Sequence, residues 1–100
     1  MSTPESSVKR KIDNVFKKHN VWYFSPQSGP WGKAGIPDRI ACVGGFMLGV
    51  EAKADKTKKP TALQLKTMQD IKDSGGYVMV VYDKETVGEL EELVKKLLGV

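Results

Sequence analysis

Asp38, Glu51 and Lys53 flank a Gly44-Gly45 pair at a spacing that could bring them together. Residues 38–43 and 46–53 are apolar, strand-like runs. Two glycines between such runs predict a hairpin, because tight primed turns need positive φ at both central positions. With Gly44 and Gly45 as the turn, Val43 faces Phe46, and counting back along both strands sets Asp38 directly across from Glu51. Side chains alternate between faces, so Lys53 shares the face of Glu51 two positions along. The opposite face carries Ala41, Val43, Phe46, Leu48, Val50 and Ala52, an apolar surface broken only by Arg39 at its start. A three-residue turn would instead send the two carboxylates to opposite faces.

Carboxylates directly opposite one another have Cβ atoms about 5 Å apart and destabilise a sheet by repulsion. The register therefore asks for a compensating charge, and a divalent cation is the one it favours. Hard ions such as Mg²⁺ or Mn²⁺ take carboxylate oxygens and waters. Asp38 and Glu51 are the predicted ligands, with the backbone carbonyl of Ala52 as a further donor. Lys53 would orient or deprotonate an attacking water and offset charge in the transition state, the combination that phosphodiester hydrolysis needs. The plainer alternative has Asp38 capping the strand start after Pro37, with Glu51 and Lys53 a solvated edge.

The rest of the chain must position these groups. Thr3-Pro4-Glu5 opens a helix, with Thr as N-cap, Pro at the first helical position and Glu near the positive end of the dipole. Val8, Ile12, Val15, Phe16 and His19 recur at helical spacing, and the helix should end near Asn20. Residues 21–24 form a short aromatic strand. Residues 25–35 hold Pro26, Gly29, Pro30, Gly32 and Gly35, a long loop for so short a chain. After the hairpin, residues 54–60 are a charged connection. Thr61 and Gln64 fit a capping box that leads a helix to about Ser74, stopped by Gly75-Gly76. Residues 77–82 suit a strand buried on both faces. Thr86 and Glu89 form a second capping box, opening a helix with Leu90, Leu93, Val94, Leu97 and Leu98 on one side. The order is α-β-β-β-α-β-α, an α/β chain expected to form a single domain over residues 1–100.

Composition narrows the partners. Residues 1–60 carry eleven Lys and Arg against five Asp and Glu, whereas residues 61–100 carry five against seven. A field so lopsided suits a polyanion on the N-terminal side. One cysteine, Cys42, and one histidine, His19, cannot build a thiolate metal cage, so any metal must be held mainly by oxygen. No apolar run approaches the roughly 18–20 residues of a membrane span, and the N-terminus has no signal-peptide hydrophobic region. A cytoplasmic protein without a membrane partner is the expectation.

G-I-P-D at residues 35–38, a glycine turn, and V-E-A-K at residues 50–53 together resemble the PD-(D/E)xK nuclease superfamily. More narrowly, they resemble its virus-type replication-repair nuclease (VRR-NUC) domain. Glu5 in the first helix, Gln64 in the helix after Lys53, and Gly76 before a strand follow that family's order, so the resemblance spans about residues 4–83. It implies a restriction-endonuclease-like core with a mixed central sheet flanked by helices, Mg²⁺ or Mn²⁺ dependence, and DNA cleavage. Small stand-alone members resemble Holliday-junction resolvases that act as homodimers on branched DNA. By position, Asp38 and Glu51 would be metal ligands and Lys53 the catalytic lysine.

Other residues carry two readings each. Glu5 is a helix N-terminal acid or a further metal ligand and catalytic group. Gln64 is a capping residue or a group aimed at water or phosphate. Lys33, Lys56, Lys58 and Lys59 lie in loops flanking the hairpin, as DNA contacts or solvated surface. Arg39 is a phosphate contact or an ion-pair partner, and Ser28 and Gly29 could offer a hydroxyl and an N–H to DNA. Trp31 is a base-stacking platform or a lid on the core. His19 is expected to be structural, and Cys42 a small buried thiol. The C-terminal helix or the exposed aromatics would supply a dimer interface. Against the metal-dependent endonuclease stand a non-catalytic DNA-binding or assembly module and a restriction-type or RNA-directed nuclease.

Overall fold

Local capping decides where each helix begins. The computed structural model describes residues 3–27 and 32–100. Helix α1 spans Pro4–Lys18, with the Thr3 hydroxyl accepting the Ser6 N–H. It ends at His19, and Asn20 takes a left-handed conformation at φ 58°. Strands β1 (Trp22–Phe24), β2 (Arg39–Val43) and β3 (Phe46–Ala52) follow, then α2 (Ala62–Asp73), β4 (Tyr77–Val81) and α3 (Lys84–Leu98). This is the expected order of elements.

The four strands form one mixed sheet in the order β1-β2-β3-β4, antiparallel except for the parallel β3–β4 pair. The decisive register is that of β2 and β3. Val43 pairs with Phe46 and Arg39 with Val50, so the turn is the two-residue one. Gly44 and Gly45 both have positive φ, 60° and 88°, as a primed turn requires. Gly44 has a second reason to lack a side chain: a Cβ there would collide with the carbonyl oxygen of Leu97 on α3.

Helices α1 and α3 cover one face of the sheet. Val8, Ile12, Val15 and Phe16 of α1 and Leu90 and Val94 of α3 pack with Ala41, Val43, Leu48, Val50, Ala52 and Val81. Helix α2 lies against the other face, where Gly49 lets Pro37 and Ile71 come close. His19, at the end of α1, ties that helix to α3 through Glu91, at 2.6 Å. Lys18 joins the same carboxylate at 2.8 Å.

Several expectations are corrected. Strand β4 is covered on both faces, by α2 and α3, but as the sheet's edge it is only partly buried, and Tyr77 is exposed. The α3 cap is Asp83 rather than Thr86. The Asp83 carboxylate accepts the Thr86 N–H, and the Thr86 hydroxyl accepts the Asp83 N–H, so the helix begins earlier than its apolar stripe suggests. Phe46 is half-exposed at the hairpin tip and packs edge-on against Tyr77 instead of joining the core. Cys42 is exposed, because α2 packs over β4, with Ile71 reaching Gly49 of β3, and leaves the β1–β2 half of that face open among the described residues. Leu90, Leu93, Val94 and Leu97 of α3 pack into or against the core, whereas Leu98 and Val100 stay exposed.

Candidate active site

Asp38 precedes β2 by one residue, and its partner across the hairpin, Glu51, is the penultimate residue of β3. The structure brings them together. The Asp38 N–H donates to Glu51 Oε1 at 3.2 Å, and Asp38 Oδ2 accepts the Ala52 N–H at 2.8 Å. Glu51 is almost fully buried, at 3% exposure. Loss of hydration pushes its carboxyl pKa up, and the neighbouring Asp38 adds to the rise; the hydrogen bond from Lys53 opposes it without cancelling it.

Lys53 and Gln64 complete the cluster. Lys53 Nζ lies 3.0 Å from Glu51 Oε2 and donates to Gln64 Oε1 at 3.1 Å. Gln64 Nε2 donates to Glu51 Oε2 at 2.7 Å. The amide has only one workable orientation, because Gln64 Oε1 also accepts the Thr61 N–H at 2.9 Å and a backbone N–H can only donate. Gln64 thus takes its capping reading, and the same capping box sets its amide against Glu51 and Lys53. Gly35 lets the loop rest on α2: at φ 80°, a Cβ there would lie 2.9 Å from the Leu63 carbonyl oxygen.

The like-charge problem is answered by the protein itself. Lys53 faces Glu51, and Lys9 of α1 lies 3.6 Å from Asp38 Oδ1. No buried side-chain nitrogen or oxygen among the described residues lacks a hydrogen-bond partner. A cation is therefore not required to make the pair tolerable, contrary to the argument from register alone. The donor chemistry still suits one. Two adjacent carboxylates supply hard oxygens and two negative charges, and Asp38 lines a cavity of about 460 Å³ with Lys9, Lys33 and Gln64.

Glu5 does not join Asp38 and Glu51 as a third acid: no set of three His, Cys, Asp or Glu side chains among the described residues could hold a metal. Its place in the first turn of α1 sets it instead beside Lys53, Thr57, Lys58 and Lys59, around a second, open cavity. Lys33 lines the first cavity and Lys58 and Lys59 the second, so these three border the site from two sides. Lys56 acts on Asp83 at the start of α3 and lines neither. Ser28, Gly29 and Trp31 lie outside the described residues.

Arg39 takes its ion-pair reading. It grips Asp13 of α1 with Nε to Oδ1 at 2.6 Å and Nη2 to Oδ2 at 3.1 Å, which raises its pKa. Sequence reasoning missed Lys9, Asp13 and Thr61 as parts of the site. A signal for the first two was present, since Glu5, Lys9 and Asp13 are spaced four apart and share one flank of α1.

No family model matches the chain, and no curated protein matches it.

Proposed function

We propose that the protein is a metal-dependent DNA endonuclease with a restriction-endonuclease-like core, acting on branched DNA as a two-fold dimer in the cytoplasm. The observation that carries this reading is the contact of Asp38, Glu51, Lys53 and Gln64 at the open end of a hairpin, bordered by lysines on two sides. Asp38 and Glu51 would hold Mg²⁺ or Mn²⁺, which when bound supplies Lewis-acid charge and lowers the pKa of water.

The chain's own groups do the rest. Glu51, buried and raised in pKa, orients Lys53 through Oε2. Gln64 accepts from the same ammonium and donates to the same carboxylate oxygen, so the Lys53 charge is fixed where charge develops on a phosphodiester. Lys33, Lys58 and Lys59 attract the DNA backbone without reading its sequence, which favours recognition by shape. A symmetric cut across a four-way junction needs two such sites, hence the two-fold dimer.

Cleavage of plasmid and junction DNA with Mg²⁺, Mn²⁺ and EDTA tests the reading. Asp38→Ala, Glu51→Ala and Lys53→Ala should each lower the rate by at least ~100-fold while DNA binding persists. Retained cutting by any of them overturns the mechanism. Binding without cleavage by the wild-type chain in either metal favours the non-catalytic DNA-binding module, a reading consistent with acids already neutralised by Lys9 and Lys53.

A further inference from the structure

The charges on α1 complement those at the start of β2 in the same order along both segments. Lys9 and Asp13 lie one turn apart on the helix, and they meet the consecutive residues Asp38 and Arg39. All three guanidinium nitrogens of Arg39 are engaged, through three of its five N–H donors. Nε and Nη2 hold both oxygens of Asp13, and Nη1 donates to the Asp38 carbonyl oxygen at 2.9 Å. Its side chain is 12% exposed, which leaves little of it for a phosphate. Asp38 is thereby held at both of its peptide groups, by Arg39 at the carbonyl and by Glu51 at the N–H.

We propose that Asp13 is a positioning residue: acting through Arg39, it fixes the Asp38 backbone so that the Asp38 carboxylate meets the Ala52 N–H beside Glu51. The planar guanidinium is essential to this, because it serves a bidentate carboxylate and a carbonyl in one plane, which an ammonium cannot do. The kinetic consequence rests on the nuclease reading above; the structural one does not.

Asp13→Asn, Arg39→Lys and the double variant, each in the intact chain, test it. Amide exchange followed by NMR should show Asp38 and Ala52 losing protection by about tenfold or more, while Leu48 and Val50 in mid-β3 keep theirs. Arg39→Lys retains a positive charge opposite Asp13, so it carries the test if Asp13→Asn fails to fold. Unchanged protection at Asp38 and Ala52 overturns the proposal, as does an equal loss along all of β3, the mark of general destabilisation.

With junction DNA and Mn²⁺, the single-turnover rate should fall by roughly 10- to 100-fold in both single variants, as for a slightly misplaced reacting group. The double variant should be no slower than either, and the salt dependence of DNA binding should not change. An Arg39→Lys enzyme cutting at the wild-type rate would mark Arg39 as an exchangeable phosphate cation and overturn the proposal. If the wild-type chain cuts no DNA, the nuclease reading fails and the amide exchange alone decides the role of Asp13.

Discussion

Glu51 concentrates the electrostatics of this protein at one residue. Its carboxyl is taken out of water beside a second carboxylate, and one lysine only partly restores the charged form. The folded chain therefore binds this proton more tightly than the unfolded chain does. Taken alone, Glu51 makes stability fall as pH rises from the ordinary carboxylate range through its raised folded value. Denaturation by urea across that window should show Glu51→Gln gaining stability on the wild type as pH rises. Direct NMR titration should place the Glu51 carboxyl above its ordinary value, lower in Asp38→Asn and higher still in Lys53→Met. Gln64→Glu separates two duties of one side chain. Glutamate still serves the capping box and the positive end of the helix, so α2 should persist. It cannot donate to Glu51, so cleavage should fall by about 100-fold. Gln64→Ala should loosen the first turn of α2 as well, visible as amide exchange there.

The hairpin and α2 are the elements that make the site. The hairpin supplies both acids because its turn has two residues, and α2 supplies Gln64 because its cap lies beside the end of β3. The two turn glycines are not equivalent. A Cβ on Gly45 meets nothing nearby, so Gly45→Ala should cost only the left-handed backbone penalty of about 1–2 kcal/mol. Gly44→Ala adds a collision with the α3 backbone at Leu97 and should cost distinctly more, as measured by urea denaturation. Equal costs would mean that α3 does not rest on the turn. The α3 cap behaves oppositely to Glu51 in acid. The Thr86 N–H and hydroxyl hold the Asp83 carboxyl below its ordinary pKa, so its contribution is present at neutral pH and lost as pH falls through that lowered value.

At the scale of the whole molecule, charge and apolar surface decide partners. The positive excess sits in the half of the chain that builds the site, and Lys33, Lys58 and Lys59 border its cavities. Affinity for DNA should fall linearly on a log–log plot against salt. Lys58→Ala/Lys59→Ala should flatten that slope by about 1–2, uniformly across sequences, as phosphate contacts do. An unchanged slope would place the DNA elsewhere. Helix α3 turns most of its apolar side to the core but leaves Leu98 exposed, and Trp22 and Phe24, 66% and 45% exposed, form an aromatic surface on β1. No helix among the described residues is long and apolar enough to cross a membrane.

Much of this was legible in the chain because it is local. Two glycines set the turn, alternation set the faces, and Thr3 and Thr61 set helix starts, each through contacts within a few residues. The pairing of Asp38 with Glu51 follows from that arithmetic alone. One local signal had a competitor just upstream, since Thr86 has a cap's chemistry but serves as the N3 partner of Asp83. Where long-range packing intervened, Cys42 has a core residue's character yet stays exposed because α2 covers the other half of its face. Which charges meet Asp38 and Arg39 was settled only when α1 docked across the sheet, setting Lys9 and Asp13 more than twenty residues away in sequence against them. Spacing along a strand or helix determines which face a side chain occupies. What stands opposite that face depends on how the helices pack, and no local rule contains that information.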